Sequence, residues 1–132
     1  MMQMPVTLAA AALAVIVNTW LAWRVIAARR AANVSIGDGG DEAVLRRMRA
    51  HANYAEHAPI FLILLAALEI TGANRPLLLA AAAAFMLARF AHGIGMDGGS
   101  LRRFRVVGMS TSTFVTLALA GWAAVIAFGA LA

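Results

Sequence analysis

Arg49-Ala50-His51-Ala52-Asn53-Tyr54-Ala55-Glu56-His57-Ala58-Pro59 runs directly into Ile60-Phe61-Leu62-Ile63-Leu64-Leu65-Ala66-Ala67-Leu68. The apolar part alone is too short to cross a bilayer, which takes about 20 residues in a helix. A helix that crosses here must carry Asn53, Glu56 and His57 into the membrane. Ionisable groups at that depth cost roughly 2.5–3.5 kcal/mol each on insertion scales unless something pairs with them. Arg49, Asn53, Glu56 and Ile60 fall at the spacing of one helical face. The stretch therefore reads as the polar beginning of a membrane helix that carries Arg49, Asn53 and Glu56 inward to meet a polar partner or ligand.

Composition agrees with a membrane class. The 132 residues are 63% hydrophobic and 13% charged, with a mean hydropathy of +0.82, whereas soluble domains run at about 45–50% apolar and about 25% charged. The length allows a single domain over 1–132. Cysteine is absent, which removes disulfides, thiolate metal sites and a cysteine nucleophile. Three scattered histidines do not make a zinc site, and no metal is expected. The net charge of +5 is carried by arginine without any lysine. These arginines are juxtamembrane rather than spread over a soluble face, so anionic headgroups and topology account for them better than nucleic acid does.

Outward from the opening stretch, three further spans appear. The first runs from Pro5 through Trp23 to about Arg30, and no Lys or Arg precedes it, so it reads as a membrane helix rather than a signal peptide. Asn33 to Asp41 is a glycine-broken loop in which Asp41 can cap the second helix, about 42–70, with Glu42 favourable in its first turn. Asp38, Asp41 and Glu42 do not have the spacing of a calcium loop. Pro59 within the second helix frees the carbonyl of Ala55 and predicts a kink. The turn 71–76 leads to a third span, about 76–96, and Asp97-Gly98-Gly99-Ser100 leads to a fourth, about 101–131. In the fourth, Gly108, Ser112, Thr116, Ala120 and Ala124 form a stripe of small residues that lets helices approach closely. The expected fold is an all-α membrane protein, a four-helix transmembrane bundle.

Arg24, Arg29, Arg30, Arg46, Arg47 and Arg49 flank the first loop, and Arg102, Arg103 and Arg105 flank the third, against Arg75 alone at the second. The positive-inside rule then places the first and third loops in the cytoplasm and both termini on the other side. Arg89, His92 and Met96 share a face of the third helix. Because the chain reverses between spans, Arg30, Arg49, Asn53, Glu56, Arg89, His92, Arg102 and Arg105 are all delivered to one layer beneath the cytoplasmic surface. Plainer roles compete with ligand binding: Arg24, Arg29, Arg46 and Arg47 serve as topology signals, Glu56 and Arg89 pair as a structural bridge, and His51, His57 and His92 are polar packing residues.

Taken together, these segments resemble the MAPEG family, the membrane-associated proteins in eicosanoid and glutathione metabolism. Residues 26–35 are similar to that family's first-helix end, and Arg49 to Pro59 to its R-A-x-x-N-x-x-E signature with a following proline. Ala88-Arg89-Phe90-Ala91-His92 resembles the third-helix motif, and Leu101-Arg102-Arg103-Phe104-Arg105 the start of the fourth. The resemblance implies a homotrimer with glutathione as co-substrate, bound between adjacent subunits and reached from the cytoplasmic side. It assigns Arg30, Arg49, Asn53, Glu56, Arg89, His92 and Arg102 to binding. Arginine forks suit the two carboxylates of glutathione, and Glu56 with Asn53 suits its amine. The resemblance also puts a thiol-facing arginine at the start of the fourth helix, with Arg105 favoured and Arg102 or Arg103 as alternatives. A free thiol titrates near ~8.5, and lowering it by about two units takes roughly 2.7 kcal/mol.

Where characterised members place Ser or Tyr near the sulfur, this chain has Val106, Met109 and Met96, which argues against eicosanoid synthesis as its native role. The resulting expectation is a bacterial inner-membrane protein, surrounded by membrane lipids, that conjugates glutathione to lipophilic electrophiles or reduces lipid peroxides. The competing expectations are a small proton-coupled exporter working through Glu56, and a catalytically silent member that binds lipid or a partner protein.

Overall fold

The computed structural model describes residues 3–131, so Met1, Met2 and Ala132 lie outside the described residues. Four long helices account for most of the chain: α1 (Pro5–Ala32), α2 (Glu42–Ile70), α3 (Arg75–Gly95) and α4 (Arg102–Leu131), with a short 3₁₀ turn over Gly99–Leu101. Each is long and apolar enough to cross a membrane, and no strand occurs among the described residues. This is the expected four-helix membrane fold, and the protein is an integral membrane protein.

Helix ends follow local chemistry. Pro5 opens α1 with its φ already helical. Asn33 closes it in the left-handed conformation, φ 54°, which Asn tolerates better than most residues. The Asp41 side chain accepts from the Val44 N–H at 2.9 Å, the cap read from the sequence. Asn74 does the same for α3, accepting from Leu77 N–H at 3.1 Å, so α3 begins at Arg75, one residue before Pro76. α2 continues through Pro59 as a single helix.

Adjacent helices run antiparallel. The inward stripe of α1 is Val6, Ala10, Ala14, Val17, Leu21, Val25 and Ala28, at repeated steps of four, four and three residues. It packs on the corresponding stripe of α2, where the Tyr54 hydroxyl donates to the Ala14 carbonyl at 3.0 Å. Phe61 of α2 and Phe85 of α3 stack at 3.8 Å between ring centroids, both fully buried. α4 buries only Gly108, Ser112 and Leu119. Much of it, including Phe114, Leu117, Val125 and Phe128, faces outward, where lipid makes apolar exposure normal.

The stripe of small residues is used in part. Gly108 and Ser112 are buried, Thr116 and Ala120 half-buried and Ala124 exposed. A Cβ on Gly108 would meet the Ala88 carbonyl oxygen at 2.4 Å, and one on Gly95 would stand 2.0 Å from the Arg105 nitrogen. Backbone therefore touches backbone where α3 ends and α4 begins. That contact positions Arg105 beside His92.

Candidate functional site

Arg89 is the best-buried charged side chain, 1% exposed, on the inner face of α3. Its Nη2 donates to the Asn53 Oδ1 of α2 at 2.5 Å. Its Nη1 donates to the Ser112 Oγ of α4 at 3.2 Å and lies 3.7 Å from the Met109 sulfur. Ser112 passes the bond on, donating to the Met109 carbonyl at 3.1 Å. One guanidinium thus ties three helices together. Its Nε–H, equally buried, has no hydrogen-bond partner, and no carboxylate pairs with it among the described residues. A buried cation held by neutral groups alone is costly, and a negative charge nearby would offset that cost.

His92 lies one turn further along α3 and is also buried. Its Nδ1 is 3.1 Å from the Arg105 carbonyl oxygen. A carbonyl can only accept, so Nδ1 carries the hydrogen and Nε2 is left available. Asn53, His92 and Arg105, together with Val106, Met109 and Ser110, line an open cavity of about 400 Å³ between α2, α3 and α4. Arg105 also borders a second cavity of about 320 Å³ with Arg46, Met96 and Arg102. Deeper in the apolar layer, His57, Ser112, Thr113 and Thr116 border a smaller space of about 110 Å³.

The residues expected from sequence divide into two sets. Asn53, His92 and Arg105 line one cavity, and Arg89 lies behind it, bonded to Asn53. Arg30, Arg49, Glu56, Arg102 and Arg103 are exposed on the subunit, as is Arg105 at the mouth of its cavity. The expected inward turn of Arg49 and Glu56, and the Glu56–Arg89 bridge, are corrected here. At 100° per residue Arg49 lies about 40° and Glu56 about 60° to the same side of Asn53. That rotation takes both off the α2–α3 seam and onto an adjoining exposed stripe. Arg89 takes Asn53 and Ser112 in place of Glu56.

Two further groups did not stand out in the sequence. Asp97, just past α3, pairs with Arg24 of α1 and, at 3.5 Å, with Arg47 of α2. Arg24 also donates to the Gly93 carbonyl at 2.7 Å, and Arg46 to the Asp97 carbonyl at 3.2 Å. Arg24, Arg46 and Arg47 therefore have structural partners beyond any topological role. At the opposite end, Glu69 accepts from the Val6 and Thr7 amides and the Thr7 hydroxyl at 2.9, 2.8 and 2.7 Å. The available signal was scarcity: the chain has six acidic residues, and one inside an apolar run needs a reason.

The donor set at the cavity between α2, α3 and α4 suits an anionic, peptide-like ligand: Arg105, the Asn53 amide and the His92 imidazole line it, and the Arg89 charge stands behind Asn53. Among curated proteins, no sequence matches the chain. Comparison with protein families matches residues 7–125 to the MAPEG family. The match spans all four helices and the polar layer between them, so the chain belongs to the MAPEG family.

Proposed function

We propose that this protein binds glutathione at the Asn53–His92–Arg105 cavity, with Arg89 behind it. In this reading it conjugates glutathione to lipophilic electrophiles arriving from the bilayer, or uses it to reduce lipid peroxides. Glutathione-related transferase and peroxidase chemistry is what the MAPEG family is known for. The observation that carries the reading is Arg89, a buried cation without a carboxylate partner among the described residues, bonded to the Asn53 that lines a cavity with His92 and Arg105. An anion there would offset electrostatically the cost of a charge already desolvated by the fold.

The exposed stripe supports the same ligand. Arg49 and Glu56 are two helical turns apart, about 10 Å along the axis, with opposite charges toward one side. A zwitterionic peptide can set a carboxylate on the first and its ammonium on the second. Arg30, Arg102 and Arg103 lie at helix ends in the same layer. Because these groups are exposed on one subunit, the reading includes a homotrimer in which a neighbour closes the site. The thiol faces Arg105, whose charge favours the thiolate once a neighbouring subunit closes the open side of the cavity. The reading places the protein in a bacterial inner membrane, with the site toward the cytoplasm.

The test is purified protein in detergent, titrated with glutathione while thiolate absorbance is followed. Arg49→Ala and Glu56→Gln are expected to weaken binding, and Arg105→Ala to abolish the thiolate signal while binding persists. A wild-type protein that neither binds glutathione nor forms thiolate overturns the proposal. The exporter reading rests on Glu56 being exposed and outside every ion pair among the described residues. Proton-coupled uptake into vesicles, insensitive to glutathione, would favour it.

A further inference from the structure

Asp97 belongs to none of the motifs that carry the family resemblance, yet it gathers more of the arginine end than any other acid. Its carboxylate pairs with Arg24 from α1 and Arg47 from α2, and its carbonyl accepts from Arg46. Arg24 holds the Gly93 carbonyl as well, and its guanidinium lies 4.8 Å from the centre of the Trp20 ring, which packs against Phe90 of α3 at 4.6 Å. Arg47 in turn donates to the Arg24 carbonyl at 3.4 Å. The last turn of α3 is thereby bonded to α1, and the Asp97 turn that follows it to both α1 and α2.

Arg105 rests on that same turn. Its backbone nitrogen would lie 2.0 Å from a Cβ on Gly95, and its carbonyl accepts from His92 at 3.1 Å. Between Gly95 and Arg105 the chain passes through Gly98 and Gly99, both with positive φ, and through one 3₁₀ turn. A linker with that much glycine holds no fixed geometry by itself, so the register of α4 depends on what secures the end of α3.

We infer that Asp97 is a positioning residue: by clamping the end of α3 between Arg24 and Arg47, it fixes Arg105 against the cavity where a thiolate forms. The inference rests on the glutathione reading for its chemistry, although the clamp itself is independent of any ligand. Asp97 also neutralises arginines that would otherwise add to the attraction for an anion. Positioning and charge balance make opposite predictions when the carboxylate is removed.

The experiment compares wild type, Asp97→Asn, Asp97→Glu, Arg24→Gln and the Asp97→Asn/Arg24→Gln double variant, all purified in detergent. Glutathione affinity, the pH profile of thiolate absorbance, and amide exchange over residues 96–105 are read for each. Positioning predicts that in Asp97→Asn the thiolate midpoint rises by about one pH unit, a tenfold loss of thiolate below it. Affinity should change by less than about threefold, because the carboxylate-binding arginines remain. Exchange over 96–105 should rise, Asp97→Glu should restore part of the profile, and the double variant should be no worse than the poorer single. Tighter glutathione binding with an unchanged thiolate profile would overturn the inference and leave Asp97 as charge balance. Faster exchange in Asp97→Asn, in a protein whose wild type forms no thiolate with glutathione, would overturn the glutathione reading and reduce the clamp to a purely structural one.

Discussion

Each end of the bundle buries one formal charge, and the two are treated differently. At the end where α1 begins, Glu69 is 6% exposed and accepts three hydrogen bonds, from two amides and a hydroxyl in the first turn of α1. Met4 offers that helix no capping side chain, so α2 supplies the cap across space, and carboxylate and helix terminus satisfy one another. At the arginine end, Arg89 is more deeply buried but less completely answered, with neutral oxygens for partners and one N–H left over. A saturated charge closes a structure, whereas an unsaturated one leaves an interaction free for a ligand. The comparison separates a residue that holds the fold from one that serves a site.

Breaking the contact that supports the arginine end should have the largest effect. Gly95→Ala places a methyl against the backbone of Arg105, and overpacking of backbone against backbone is expected to cost about 3 kcal/mol or more. Thermal unfolding in detergent should show a large drop, together with loss of the thiolate signal.

Arg89→Met tests the comparison most sharply. Removing the charge that stands behind the cavity and orients Asn53 is expected to lower glutathione affinity by about 100-fold. Stability should hold or rise, because an incompletely paired buried charge gives way to an apolar side chain of similar length. A fall in stability as large as the fall in affinity would make Arg89 a structural strut instead.

Glu69→Ala should give the reverse pattern. It leaves the Val6 and Thr7 amides without their acceptor, at an expected cost of about 2 kcal/mol. Glutathione affinity of the folded protein should be unchanged, and isothermal titration beside a melting curve would decide this. Tyr54→Phe, which removes the bond to the Ala14 carbonyl midway along the bundle, is the smallest expected change, about 1 kcal/mol of stability with no effect on binding.

Helix number, the loop at 33–41 and the cap at Asp41 were legible from local signals, whereas 71–76 read only as a turn and its cap at Asn74 emerged with the structure. Hydropathy runs mark the spans, while Gly, Asn and Asp act within a turn of where they stand. The polar face of the second span was legible as a face, because 3.6-residue periodicity is a property of one helix. Which members of that face turn inward was not legible. Asn53 reaches Arg89 while Glu56, only three residues on, is exposed, and a rotation of about 60° decides between them. Arg24 and Arg47 read as topology signals because flanking arginine is sufficient for that role. Their pairing with Asp97 requires α1, α2 and the end of α3 to be placed beside one another.

The amino-acid sequence alone therefore determined that this chain is four membrane helices with a polar layer near one end, since hydropathy, capping and periodicity act over a few turns. Only the tertiary structure decided that Arg89 would go unpaired by any carboxylate, that Asp97 would clamp the end of α3, and that Glu69 would cap a helix other than its own. Those outcomes depend on how helices rotate and how closely they approach, which the bare backbones at Gly95 and Gly108 permit. Such angles and distances belong to pairs of helices, and no single stretch of chain encodes them.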